Sequence, residues 1–253
     1  MTALLEVAGV SKRYGGIRAL DGVSLEVQAG EAVGLIGPNG AGKTTLFDCI
    51  TGVRHPDRGE IRFAGERIDD LPTYRRARLG IGRTFQRIEL FAGMTARDHL
   101  LVAEREHRGD GRLWKDLLWR GAPRSDEIDR VDKMIAELGL ETFADAAIES
   151  LSLGQGRLVE LGRALMTEPK LLLLDEPSSG LDSRETATLA GVLNDLRHHR
   201  EMAFLLVEHD LDLVRAVTER VYVVDFGRLI ASGSLAEVLA EADVRAAYLG
   251  EGA

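Results

Sequence analysis

Residues 37–44 read Gly37-Pro38-Asn39-Gly40-Ala41-Gly42-Lys43-Thr44, with Thr45 next, and this run restricts the possible folds more than any other. It matches the pattern G-x-x-x-x-G-K-S/T, with the short apolar run 32–36 before it and a helical pattern over 44–52 after it. Glycines at these spacings let a loop curl so that backbone N–H groups converge on phosphate oxygens. The helix start behind the loop already favours an anion. Lys43 adds a mobile positive charge, and the Thr44 hydroxyl can ligate magnesium. A strand, a phosphate loop and a helix in this order call for an open α/β sheet.

The remaining pattern agrees with such a sheet. Segments 4–10 and 19–27 read as strands around the turn-like Tyr14-Gly15-Gly16, and 60–63 as a further strand. From about residue 95 to 165 the chain reads as mainly helical. Thr95-Ala96-Arg97-Asp98 and Ser152-Leu153-Gly154-Gln155 both fit capping boxes, the second opening a helix over 156–165. The last third alternates: an apolar strand at 171–174, a helix at 185–199, strands at 203–207 and 221–224, a turn at Gly227-Arg228, then 229–231. Short, wholly apolar strands separated by helices imply a parallel sheet covered on both faces. Residues 106–125, with Gly109, Gly111, Gly121, Pro123 and many charges, read as an exposed, partly helical insertion without chemistry of its own.

Composition narrows the function. A chain of 253 residues is long enough for a full core in one α/β domain. The net charge of -9 argues against gripping nucleic acid through its phosphates, although a local basic patch can coexist with an acidic total. The single cysteine, Cys49, forms no internal disulfide and fits a reducing compartment as a small buried apolar residue. No basic segment followed by a long apolar run opens the chain, and no apolar stretch approaches the roughly 20 residues of a membrane-spanning helix. Membrane contact is therefore expected to be peripheral, on the cytoplasmic side.

Two further motifs carry chemistry. The run Leu171-Leu172-Leu173-Leu174-Asp175-Glu176 delivers adjacent carboxylates to the end of an apolar strand, where ligands sit in open α/β sheets. Following a phosphate loop, Asp175 is placed to help hold a metal and Glu176 to orient or deprotonate an attacking water. The segment Leu151-Ser152-Leu153-Gly154-Gln155 then lies between the phosphate loop and the acidic strand. Here the chain resembles the ABC ATPase family, whose signature is L-S-G-G-Q; Leu153 departs from it. The resemblance runs from about residue 4 to the end.

That resemblance implies an α/β P-loop NTPase fold of the ABC type: a mostly parallel core sheet, an N-terminal antiparallel β-subdomain and an inserted helical subdomain. The whole chain forms a single domain, with 1–86 and 160–253 as core and 87–159 as the helical part. It further implies ATP and Mg²⁺ as ligands. Tyr14 resembles the aromatic residue that stacks on adenine, and Gln86 the glutamine that reaches Mg²⁺ and the attacking water. Asp182, in Ser178-Ser179-Gly180-Leu181-Asp182, resembles the dimer-interface loop, and His209 the histidine that contacts the γ-phosphate. Ser152, Gly154 and Gln155 would face the ATP of a partner subunit. Taken singly, each has a structural reading: a turn aromatic for Tyr14, a surface amide for Gln86, a helix cap for Asp182 and for Ser152 with Gln155, an exposed ring for His209. Their joint order is what selects the family.

Within the family, Leu153, the run 82–91, the insertion after 102–104 and the ending 244–250 resemble the ATPases of branched-chain amino acid importers. This implies a second ABC ATPase subunit, two integral membrane permease subunits docking near Gln86 and residues 87–104, and an extracytoplasmic solute-binding protein. No nucleic acid is expected. Importers of urea, amides or other small solutes, lipid or lipopolysaccharide export motors, and soluble ABC ATPases of DNA repair or translation are the alternatives. A P-loop kinase or GTPase lacks the signature segment.

Overall fold

The computed structural model describes residues 3–84, 90–108 and 123–249. Two sheets organise it. The first is antiparallel, in the order β2-β1-β4-β5, from β1 (Leu5–Tyr14), β2 (Ile17–Val27), β4 (Arg58–Phe63) and β5 (Glu66–Arg67). The second has the order β10-β9-β3-β8-β7-β6, from β3 (Ala32–Ile36), β6 (Ile81–Arg83), β7 (Leu171–Asp175), β8 (Ala203–Val207), β9 (Arg220–Asp225) and β10 (Arg228–Gly233). Its pairs are parallel except β9 with the edge strand β10. The helices are α1 (Lys43–Thr51), α2 (Thr73–Leu79), α3 (Ala96–Arg108), α4 (Ser125–Glu137), α5 (Leu153–Leu165), α6 (Ser183–Arg200), α7 (Leu211–Val217), α8 (Leu235–Ala240) and α9 (Ala242–Leu249).

The period of two in a strand decides which layer each apolar residue joins. In β7 and β8, Leu171, Leu173, Ala203, Leu205 and Val207 pack with α1 and the antiparallel sheet. Their alternates Leu172, Leu174, Phe204 and Leu206 face the opposite layer, formed by α3 to α7. Both faces of these strands are therefore dry, which is why they read as unbroken apolar runs. A third cluster closes α8 and α9 over β9.

Several boundaries differ from the expectation. β1 continues through Tyr14, leaving Gly15-Gly16 as the turn, because register shifts let the strand bend and continue pairing past Val7. The β9–β10 turn is Phe226-Gly227, and α5 begins directly after Ser152. Elements too short to show a period, α2, β6 and α7, escaped sequence reading. α2 supplies Arg76, whose fully buried guanidinium donates to the carbonyls of Cys49, Ile50, Asp69 and Leu71, tying down the end of α1. No described helix is long and apolar enough to cross a membrane. The expected insertion over 106–125 lies largely outside the described residues, as does all of 85–89.

Candidate active site

The parallel strands bring sequence-distant residues to one edge. β3 leads into Gly37, β8 into Glu208 and His209, β7 ends at Asp175 and leads into Glu176, and β6 ends at Arg83; the strand order is β3-β8-β7-β6. Neighbouring strands lie about 4.8 Å apart, so these ends form one continuous rim.

On that rim, the loop from Gly37 to Gly42 leads into α1. Gly37 has φ 146° and Gly42 φ 108°; a Cβ at Gly37 would lie 2.0 Å from the Val224 carbonyl oxygen, and one at Gly42 2.4 Å from that of Ala19. The loop can therefore curl only with glycine at both positions. Lys43 is buried and donates to the carbonyls of Gly37, at 2.6 Å, and Pro38, at 2.9 Å, bracing the loop from inside. Burial pushes its ammonium below the usual lysine range, opposed by the carboxylates of Glu176 and Asp175, which places this cation and the acidic pair in one electrostatic group. Asn39, Gly40 and Thr44 are exposed, Pro38 and Thr45 half-buried, and Ala41 buried with its carbonyl accepting from Gly227 N–H. Tyr14 is 42% exposed at the end of β1, with the Lys12 ammonium 5.9 Å from its ring centre.

Asp175 sits on the same face of β7 as Leu171 and Leu173, toward α1. Its Oδ2 accepts from Arg83 Nη2 at 2.8 Å, while Arg83 Nη1 donates to Asp48 of α1 at 2.7 Å. Arg83 thus ties β6, β7 and α1 together. Glu176 follows with φ 48°, a left-handed conformation costing on the order of 1–3 kcal/mol in a non-glycine residue, and its N–H donates to Val207 O. That turn lifts the chain off the sheet directly after Asp175.

Glu208 is fully buried. Its Oε1 accepts from Ser178 N–H at 2.8 Å and Ser178 Oγ at 2.6 Å, and its Oε2 from His209 N–H at 2.9 Å and Asp210 N–H at 3.1 Å. One carboxylate therefore holds the loop after Glu176 against the loop that carries His209, whose side chain is 63% exposed. Sequence reasoning passed over both Arg83 and Glu208. The signal for Glu208 was present, since the apolar run 203–207 ends in an acid just as 171–174 does.

The signature residues form a second bonded group. Ser152 is the N-cap of α5, its Oγ accepting from Gln155 N–H at 3.2 Å, with Gln155 Oε1 accepting from Ser152 N–H at 2.9 Å. Asp182 caps α6, its Oδ1 accepting from the N–H groups of Arg184 and Glu185 at 2.8 Å. Glu185 bonds to both caps. Leu153 packs over Gly180, where a Cβ would lie 2.8 Å from Leu153 Cδ2. The departure from the family pattern thus places an apolar contact between the signature and the loop 178–182. Gln86 lies outside the described residues. Beside the loop, the Tyr248 hydroxyl is pushed up by burial, partly offset by a backbone hydrogen bond at Gly37.

Comparison with known proteins agrees with this architecture. Residues 20–179 match the family model described as ABC transporter, and residues 228–253 that described as branched-chain amino acid ATP-binding cassette transporter. The chain is 40% identical over 251 residues, covering 98% of both proteins, to the high-affinity branched-chain amino acid transport ATP-binding protein BraF of Pseudomonas aeruginosa. It is 36% identical over 249 residues, again 98% of both, to the lipopolysaccharide export system ATP-binding protein LptB of Escherichia coli. The crystal structure of the ADP conformation of MJ1267, an ATP-binding cassette of an ABC transporter, superimposes with TM-score 0.86 at 33% identity, covering 99% of this chain and 100% of that one. With the phosphate loop, the acidic strand end and the signature helix in one fold, the chain belongs to the ABC transporter family, as one of its ATP-binding, ATP-hydrolysing members.

Proposed function

We propose that this chain is the motor subunit of an importer for branched-chain amino acids or a related small organic solute. The match over residues 228–253 carries this reading, because the phosphate loop and acidic pair are common to the whole family and cannot separate its branches. Two ATPase subunits would work on the cytoplasmic face of the membrane beneath two permease subunits, supplied by an extracytoplasmic solute-binding protein. A groove of about 560 Å³ between α2, α3 and α5, lined by Tyr74, Arg78, Val102, His107 and Arg163, supports permease docking there. In this reading 1–86 and 160–253 form the core and 87–159 the helical part.

The backbone N–H groups of the loop Gly37 to Thr45, Pro38 having none, cradle the phosphates, helped by the Lys43 charge, and Tyr14 stacks on adenine. The hydroxyl of Thr44 and the carboxylate of Asp175 are hard oxygen donors suited to magnesium, and Gln86 would join them. Among the described residues no group of three or more His, Cys, Asp or Glu is placed to hold a metal ion by itself, so these donors would hold magnesium only together with the bound nucleotide or water. Magnesium, when bound, neutralises charge on the phosphates. Glu176 orients or deprotonates the attacking water, and His209 contacts the γ-phosphate. Ser152, Gly154 and Gln155 close the phosphate cage of a partner subunit, with Asp182 at the interface. ATP then holds two subunits together, and hydrolysis lets them part.

The test is to purify Glu176→Gln with ATP from solubilised native membranes and identify what accompanies it. The variant is expected to bind ATP, to hydrolyse it at most at a hundredth of the parent rate, and to carry two permease chains. Export components of a lipopolysaccharide system in their place would select the other branch. Ribosomal proteins or nucleic acid, without a membrane protein, would overturn transport altogether.

A further inference from the structure

Glu185 makes contacts that a helix-capping role does not account for. Its Oε1 accepts from Ser152 Oγ at 2.9 Å and from Gly154 N–H at 3.1 Å, and its Oε2 from Asp182 N–H at 3.3 Å. One carboxylate oxygen on α6 thus takes up two donors at the start of α5. These are the donors that the proposed function assigns to the γ-phosphate on a partner subunit. A serine hydroxyl carries one proton and a backbone amide one, so neither can serve both anions at full strength. A carboxylate left in place would also lie against the incoming phosphate, and two anions at contact repel strongly in a closed interface.

Gly154 points the same way. Its φ is not in the left-handed region, so glycine is required there by space alone. A Cβ would lie 2.9 Å from Glu185 Cδ and Oε1, so the space that glycine leaves open at 154 is filled by this carboxylate. Glu185 also shares a reciprocal cap with Asp182, so releasing it loosens the loop 178–182 together with the signature.

From these contacts we infer that Glu185 is an internal anion that competes with the γ-phosphate for the signature donors, and so sets the ATP level at which two subunits close. The inference rests on the proposed dimeric ATP cycle. Its consequence is selectivity for the triphosphate: ATP brings an anion able to replace the carboxylate on Ser152 and Gly154, whereas ADP lacks the terminal phosphate and leaves Glu185 in place. Eviction also releases the Asp182 N–H from Glu185 Oε2, which couples recognition of the γ-phosphate to the interface loop.

The experiment measures the ATP concentration giving half-maximal dimer by sedimentation velocity, using full-length Glu176→Gln as the parent. Glu185→Gln in that background keeps the side chain's size and removes its charge; the ATP requirement is expected to fall at least fivefold. Glu185→Asp keeps the charge at the start of α6 but is one methylene too short to bridge to Ser152 and Gly154, and a fall in the same direction is expected. Thermal melts confirm that both variants are folded. An ATP requirement unchanged or raised in both variants overturns the inference. A parent that never dimerises with ATP removes the dimeric cycle and the competition with it, whereas a parent that dimerises with unshifted variants removes only the competition.

Discussion

Glu208→Gln tests whether the rim of strand ends works as one bonded unit. The site is fully buried and supplies four donors to two oxygens: the N–H groups of Ser178, His209 and Asp210, and the Ser178 hydroxyl. A glutamine offers one oxygen and one NH₂. With its oxygen toward His209 and Asp210, its NH₂ faces Ser178, where the hydroxyl can turn to accept but the N–H cannot. The opposite orientation strands two backbone N–H groups, so the first prevails. One buried N–H without an acceptor costs about 1–3 kcal/mol, and the surviving bonds lose roughly 1 kcal/mol each of charge assistance. Removing a buried charge returns several kcal/mol of desolvation, leaving a net loss of about 2 kcal/mol. For a domain of this size that is a fall in Tm of about 4–8 °C. The severed bond is the one joining the loop after Glu176 to the strand end carrying His209. If that misalignment is felt in the transition state, kcat falls roughly 10–30-fold, while KM for ATP stays within about threefold because the phosphate loop is untouched. Steady-state phosphate release and calorimetry on the purified chain read both quantities. A variant with kcat within about twofold of the parent and an unchanged Tm would refute the reasoning.

Two further outcomes are expected. His209→Ala removes a 63% exposed ring, so Tm should move by no more than about 2 °C while hydrolysis is lost and ATP binding kept; near-normal turnover would return His209 to a structural role. Cys49 is buried and its thiol is pushed up to about 11, chiefly by burial, so at pH 8 only about a thousandth is thiolate. Alkylation should therefore be slow in the native chain and fast in urea, and the stabilising effect of the protonated thiol, complete below about pH 9, should fade as pH rises through about 11. Rapid stoichiometric labelling in native buffer would show that α1 opens readily.

Motifs whose parts are contiguous were legible without a structure. The proposed phosphate loop draws on N–H groups close together in sequence, so Gly37 to Thr45 declare themselves in a single run. The apolar runs that became β3 and β8 matched their sequence limits, because a strand dry on both faces must be apolar throughout. The caps at Ser152 and Asp182 were likewise local, three residues from their partners. The short elements α2, β6 and α7 were not, since fewer than two turns or four strand residues show no period.

What only the tertiary structure decided is which distant residues share a bond. Arg83 and Asp175 are joined by the parallel pairing of β6 with β7, and Glu208 and Ser178 by that of β7 with β8. Glu185 reads in sequence as the first residue of the helix at 185–199; the packing of α5 against α6 lays its carboxylate on Ser152 and Gly154. Local spacing carries the geometry of one turn or one loop, while strand order and helix packing are set by burying apolar faces across the whole chain. The motifs behind the proposed nucleotide chemistry were therefore written locally, and the couplings between them belong to the fold.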